Sequence, residues 1–176
     1  ITLILIKDIC HFVFLSTVCV YADISNYSNS NKLGWNNTST FYGISKLLAE
    51  YEIKSHTQNY CILRLSTPFG NAMTKGPLLD LIENKESYVN IKSEYSFLHI
   101  NDITSAIVHV LENEIIGCYN LTANHSTPLD ILVKDINSIK FISNTLVKYD
   151  SDNSNLLATG WEPKIDINKW FMNNYK

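Results

Sequence analysis

Glycine is scarce in this chain, with six among 176 residues, and no Gly-x-x-Gly-x-x-Gly run occurs. That removes the usual phosphate cradle, in which closely spaced glycines let backbone amides and a helix N-terminus surround a pyrophosphate. Arginine is scarcer still, because Arg64 is the only one. A planar, bidentate clamp on a phosphate is therefore available at one position at most. Cys10, Cys19, Cys61 and Cys118 form no C-x-x-C and have no clustered histidines. Cys19 and Cys61 lie in or beside predicted strands and read as buried free thiols rather than metal ligands or disulfides. A net charge of −3 without any basic block argues against nucleic acid as the main partner. Lys7, Asp8 and His11 interrupt the apolar opening, and no small-residue cleavage site follows. The opening therefore reads as neither a signal peptide nor a membrane span.

What remains is ordinary globular material of a cytoplasmic kind. Hydrophobic residues make up 45% of the chain, enough for the core of one domain. Residues 1–9 read as the end of a helix, 11–16 as a buried strand and 22–37 as a polar loop. A helix from about residue 41, capped by Ser39 or Thr40, places Ile44, Leu47, Leu48 and Tyr51 on one core-facing stripe. Glu50 and Lys54 add an i,i+4 pair on it. Residues 60–66 form the next strand, and Gly76-Pro77 starts a further helix. Asn101 or Asp102 caps a helix whose Ile103, Ala106, Ile107, Val110 and Leu111 face the core. A strand follows at 118–121, and Thr127-Pro128 opens another helix. Strands alternating with helices imply a parallel sheet and an α/β class.

Two short runs carry the chemistry. Ser16-Thr17-Val18-Cys19-Val20-Tyr21 ends the first strand, so the Thr17 hydroxyl stands at its C-terminal edge, where open parallel sheets bind ligands. Tyr42-Gly43-Ile44-Ser45-Lys46 opens the following helix, with Tyr42 and Lys46 on one face. An ammonium beside a phenol favours the phenolate, lowering its pKa from ~10 toward a usable range. Such a base takes a proton from a carbinol as hydride leaves the same carbon. A bland reading stands beside this one: a surface helix with a snorkelling lysine, and a threonine capping a turn. Spacing alone does not choose between them, since Tyr88-Val89-Asn90-Ile91-Lys92 repeats it in a stretch predicted to be a strand. There i and i+4 are about 13 Å apart.

The two runs, in their order, resemble the extended short-chain dehydrogenase/reductase family, the NAD-dependent epimerase/dehydratases of nucleotide sugars. Four further segments add to the resemblance: Leu63 to Gly70, Phe97 to Asp102, Gly117 to Leu121, and Thr159 to Lys164. It implies an incomplete Rossmann-like, doubly wound parallel sheet with a smaller C-terminal substrate-binding region. Residues 1–66 and 101–125 would form the C-terminal half of the dinucleotide-binding domain, and 67–100 with 126–176 the substrate region. The absent glycine loop makes the chain look like the C-terminal half of an enzyme.

By the same resemblance, Tyr42 is the general acid/base, and Lys46 supports it and bonds the nicotinamide ribose. Thr17 orients the substrate, Leu65 contacts the cofactor and Thr67 the substrate. NAD or NADP is the implied cofactor and a nucleotide sugar the implied substrate. Neither nucleic acid nor membrane is implied, and a homodimer is compatible. Dehydratases resembling this chain carry Asp-Glu directly after the threonine; Val18 and Cys19 stand here, which points to epimerase or carbonyl reductase chemistry. Arg64 reads as half of a structural ion pair, leaving Lys75, Lys85 and Lys92 as the cations near the substrate turn. Tyr95-Ser96 stands where many relatives carry Arg-Asp, and Thr67 replaces a common asparagine. His99 reads as a packed core residue, Asp102 as a helix cap and Trp161 as packing the C-terminal turn. The alternative class is a non-catalytic family member that binds or regulates a partner. The acidic or basic residue that selects NAD or NADP is expected upstream.

Overall fold

The computed structural model describes residues 11–21, 33, 41–83, 86–132, 140, 142–149 and 152–175. The expected opening helix, Cys10, the caps Ser39 and Thr40, Lys85 and most of the 22–37 loop lie outside these.

A three-stranded parallel sheet organises the fold, in the order β1 (Phe12–Thr17), β2 (Tyr60–Leu65), β6 (Gly117–Leu121). Helix α1 (Phe41–His56) links β1 to β2, and α3 (Ile100–Glu112) precedes β6. The two helices pack on opposite faces, and the strands sort their side chains accordingly with period two. Cys61, Leu63 and Leu121 join Ile103, Ala106 and Val110 of α3 in one core, with Val13, Leu15 and Leu65 against it. The intervening Ser16 and Arg64 reach Glu50 of α1 instead. Burial on both faces explains why Cys61, Ile62 and Leu63 read as an unbroken apolar run.

Two small sheets extend from the C-terminal end of β2. Strand β3 (Thr67–Phe69) pairs in parallel with β5 (Phe97–His99), and β4 (Glu94–Tyr95) pairs antiparallel with β7 (Thr127–Pro128). A second core gathers there, around Phe69, Tyr95, Phe97, Leu129 and Ile167. It includes α2 (Pro77–Ile82) through Leu78 and Leu81, and α5 (Ile167–Asn174) closes it with Trp170 edge-on to Phe69. The short α4 (Ser154–Leu157) and Trp161 pack on the first core instead, and the Trp161 indole donates to Ser105 Oγ at 3.0 Å.

Several local expectations are corrected. Leu48 and Tyr51 are more than half exposed, and the buried positions of α1 are Gly43, Leu47, Glu50 and Ile53. The buried face is thus one position off the expected stripe; the expected Glu50–Lys54 pair is present at 3.8 Å, but Glu50 is buried and its shorter bonds go to Arg64. The cap of α3 is His99, whose Nδ1 accepts the Asn101 amide at 3.1 Å. Asp102 instead accepts the Ile165 amide at 2.9 Å, tying α3 to the C-terminal segment. Leu111 of α3 stays largely exposed. Thr127-Pro128 begins a short strand and a single 3-10 turn, Leu129–Ile131. Residues 88–92 are bends and turns rather than a strand.

Burial in the parallel sheet pushes the Cys61 thiol up to about 12 from 9.0, with Cys118 adding a smaller push. Raised in the folded state, it contributes stability that is full below the unfolded value and lost as pH climbs toward 12. Cys61→Ala should flatten that alkaline loss, measured as denaturant midpoint against pH. An unchanged alkaline slope would contradict it.

Candidate active site

Thr17 is the last residue of β1 and also caps the 3-10 turn Val18–Val20, its Oγ1 accepting the Cys19 amide at 3.2 Å. The side chain is buried at the strand's C-terminal edge. The capping role leaves the hydroxyl chemically available, because an N-cap hydroxyl that accepts one bond keeps a proton to donate.

Helix α1 is brought against that turn at its first residues. Gly43 sits on the Cys19 carbonyl so closely that a methyl group would drive into the oxygen. Glycine is required there for approach, not for backbone angle. Lys46, one turn on, donates from Nζ to the Leu15 carbonyl at 2.9 Å and lies 4.8 Å from the centroid of the Phe14 ring. The helix thus meets β1 at Leu15 and the following turn at Cys19, on either side of Thr17. Tyr42, beside Gly43, is 55% exposed, so solvent reaches its phenol. Gly43→Ala should cost about 1–3 kcal/mol as the helix is forced off the turn. A melting temperature equal to that of the parent would show the contact to be slack.

Leu65 is the register partner of Thr17 on the neighbouring strand. Thr67 lies two residues beyond, pairing with Phe97, and lines a cavity of about 260 Å³ with Pro68, Met73, Lys75 and Leu78. A second cavity of about 260 Å³ shares Pro68, Met73 and Lys75 and reaches Gly70 and Ile100. Neither cavity is lined by Thr17, Tyr42 or Lys46. The structure therefore gathers Thr17, Lys46 and Leu65 at one strand end, with Tyr42 on the adjoining helix start. It sets Thr67 apart, in the cavity beyond β2. Of the cations expected near the substrate turn, Lys92 is held by Asp130 at 2.6 Å, whereas Lys75 lines both cavities.

Behind these residues lies a buried polar cluster that bears out Arg64 as half of a structural ion pair, with Glu50, Ser16 and Tyr21 as partners the sequence did not single out. Ser16 Oγ donates to Glu50 Oε1 at 2.6 Å, and Arg64 donates from Nε to the same oxygen at 3.1 Å and from Nη2 to Oε2 at 2.7 Å. Arg64 Nη1 also donates to the Tyr21 hydroxyl at 3.0 Å, which in turn donates to Asn120 at 2.6 Å. Glu50 and Arg64 are almost wholly enclosed. Burial raises the Tyr21 phenol, opposed by Arg64. Enclosure disfavours the Arg64 charge, but the bonds and field of Glu50 outweigh it and hold the guanidinium above its ordinary value. Only the chain's lone arginine could have signalled this cluster. Burial also holds the His99 imidazole below its usual range, with Asp102 opposing, and Phe69 stacks edge-on to it at 5.0 Å.

Among the described residues no three metal-ligating side chains cluster, and no helix is long and apolar enough to cross a membrane. A model of the NAD dependent epimerase/dehydratase family matches residues 1–121. UDP-glucuronic acid 4-epimerase from Bacillus cereus, solved with UDP-glucuronic acid and NAD, is 22% identical with a TM-score of 0.76. The match covers 98% of this chain and 63% of that one. dTDP-glucose 4,6-dehydratase from Bacillus anthracis, solved with NAD, is 19% identical over 93% of this chain and 62% of that one, with a TM-score of 0.75. RMD from Pseudomonas aeruginosa, solved with NADPH, is 16% identical over 92% and 64%, with a TM-score of 0.72. This chain therefore spans less than two thirds of the length of these structures.

Proposed function

Because this chain belongs to the NAD-dependent epimerase/dehydratase family, we propose that it carries the proton-transfer half of an epimerase or carbonyl reductase acting on a nucleotide sugar or a related hydroxy/keto substrate. The observation that carries the reading is the seating of α1 on β1, through Lys46 on the Leu15 carbonyl and Gly43 on the Cys19 carbonyl. This seating supports the reading of Tyr42, Lys46 and Thr17 as a phenol, an ammonium and a hydroxyl serving one site at the C-terminal edge of the parallel sheet, where ligands of such sheets bind.

The residues fit the nicotinamide end of NAD or NADP. Lys46 has donor hydrogens beyond the one given to Leu15, suited to ribose hydroxyls, and Leu65 offers backbone on the adjacent strand. When bound, the cofactor accepts and returns hydride. The chain's own residues handle the proton. Thr17 donates to the substrate oxygen and orients the carbinol. Tyr42 takes the carbinol proton as the carbon is oxidised and returns one when the carbonyl is reduced. Lys46 stabilises the negative charge left on the Tyr42 oxygen. The acid that assists elimination of a hydroxyl in the dehydratases is a carboxylic acid directly after the threonine, and neither Val18 nor Cys19 carries one. That favours epimerisation or simple reduction. Thr67 and Lys75 suit the polar and anionic parts of the substrate.

The test is incubation of the whole protein carrying this chain with NAD and UDP-glucuronic acid or UDP-glucose, with products followed by NMR. The epimer without loss of water is expected; a 4-keto-6-deoxy product from UDP-glucose would overturn the assignment. Phe41, Leu48 and Tyr51 leave an apolar stripe exposed on α1, at 92%, 54% and 56%, which supports pairing of two copies through this helix. Leu48→Glu should then halve the mass seen by light scattering, and a monomeric parent would contradict the pairing.

A further inference from the structure

We propose that Glu50 and Arg64 are positioning residues for Lys46: the arginine fork keeps the Glu50 carboxylate from capturing the Lys46 ammonium. The inference rests on the reading of Lys46 given above. Lys46 and Glu50 are four residues apart on α1, the spacing at which an ammonium and a carboxylate meet. Glu50 is fully buried, and a buried carboxylate holds its charge only with cations or donors around it. Three groups compete for its two oxygens. Arg64 takes both, at 3.1 and 2.7 Å, and Ser16 adds a bond of 2.6 Å to Oε1. Lys54, on the other side along the helix, comes no nearer than 3.8 Å. With both oxygens occupied, Lys46 turns away from its helix neighbour to the Leu15 carbonyl at 2.9 Å, two residues before Thr17. The ammonium is left at the sheet edge, on the helix turn that follows Tyr42.

A planar guanidinium is suited to this task because one group satisfies both oxygens and donates to Tyr21 as well. A lysine in its place would satisfy one oxygen and leave the other open. Ser16 contributes by filling a remaining lone pair of Oε1, so the strand that bears Thr17 takes part in holding Lys46 off.

Crystal structures and steady-state kinetics of Arg64→Gln and of Glu50→Gln/Arg64→Gln test the proposal. In Arg64→Gln, Lys46 Nζ should leave Leu15 and close on Glu50. Turnover should fall about tenfold with KM unchanged, less than the ~10²-fold expected for loss of the phenol itself. In the double variant no carboxylate remains, so Nζ should return to Leu15 and most of kcat should be restored. Should Arg64→Gln fail to fold, Arg64→Lys opens one oxygen of Glu50 and carries the same expectation. Lys46 staying on Leu15 in these single variants, or Lys54 alone closing on Glu50, overturns the proposal. The crystallographic outcome does not depend on catalysis. A Tyr42→Phe variant of full activity would therefore sink the functional reading and leave this placement standing, whereas an unmoved Lys46 beside an inactive Tyr42→Phe sinks the placement alone.

Discussion

Replacing Tyr42 by phenylalanine should lower turnover by at least ~10²-fold while leaving fold and cofactor affinity in place, because general acid/base groups contribute ~10²–10⁴-fold. The ring is retained, and the phenol is half exposed rather than part of a packed core. Melting temperature should therefore match the parent. The loss should appear in kcat and kcat/KM together, since the missing atom acts in the transition state and not in substrate binding. Lys46→Ala should follow at a smaller magnitude, because it removes charge stabilisation and leaves the proton carrier. A Tyr42→Phe enzyme that is as stable as the parent and equally active would reassign the base.

The largest effect on stability is expected at Arg64. Arg64→Leu strands the buried Glu50 carboxylate, which is 0% exposed, beside an apolar side chain. Breaking a buried pair by removing one partner costs about 3–5 kcal/mol. For a chain of this size that is a fall of roughly 10 °C or more in melting temperature. The double variant Glu50→Leu/Arg64→Leu should recover much of it, because the cost is the uncompensated charge and not the absent attraction. Recovery should be incomplete, since Ser16 and Tyr21 each lose a partner in the cluster. Calorimetric melts of the three proteins check this. A single variant as stable as the parent would show that water or Lys54 already compensates Glu50.

Much of the fold was legible because it follows from local rules. The strand ending at Thr17, the helix beginning at Phe41 and the Gly76-Pro77 helix start all sit within a residue or two of expectation. What the sequence hid were choices made by distant partners. Glu50 reads locally as the i,i+4 partner of Lys54, and only the arrival of β2 beneath α1 reveals Arg64 as its main partner. The buried face of α1 carries Gly43, Leu47, Glu50 and Ile53, and Leu48 and Tyr51 are left exposed. Asp102 reads as a helix cap, yet its partner is the Ile165 amide, brought up by the C-terminal segment. Residues 88–92 alternate like a strand, but the turn there is fixed by the Asn90 side chain on the Lys92 amide and by Lys92 on Asp130. At the candidate site, spacing placed Tyr42 and Lys46 on one helix. The close approach of α1 to the turn after Thr17 depends on Gly43 against the Cys19 carbonyl, which spacing alone does not single out.

Context rather than spacing sets Tyr42 and Lys46 apart, and the chain contains its own control. Tyr88 and Lys92 repeat the interval of Tyr42 and Lys46, but Tyr88 lies in a bend, 68% exposed. Turnover of Tyr42→Phe and Tyr88→Phe should be measured side by side, on the whole protein with the same sugar nucleotide and cofactor. The expected result is a loss of at least ~10²-fold for Tyr42→Phe and parental turnover for Tyr88→Phe. Equal losses in the two variants, or none in Tyr42→Phe, would contradict the assignment of the active site to the end of β1 and the start of α1.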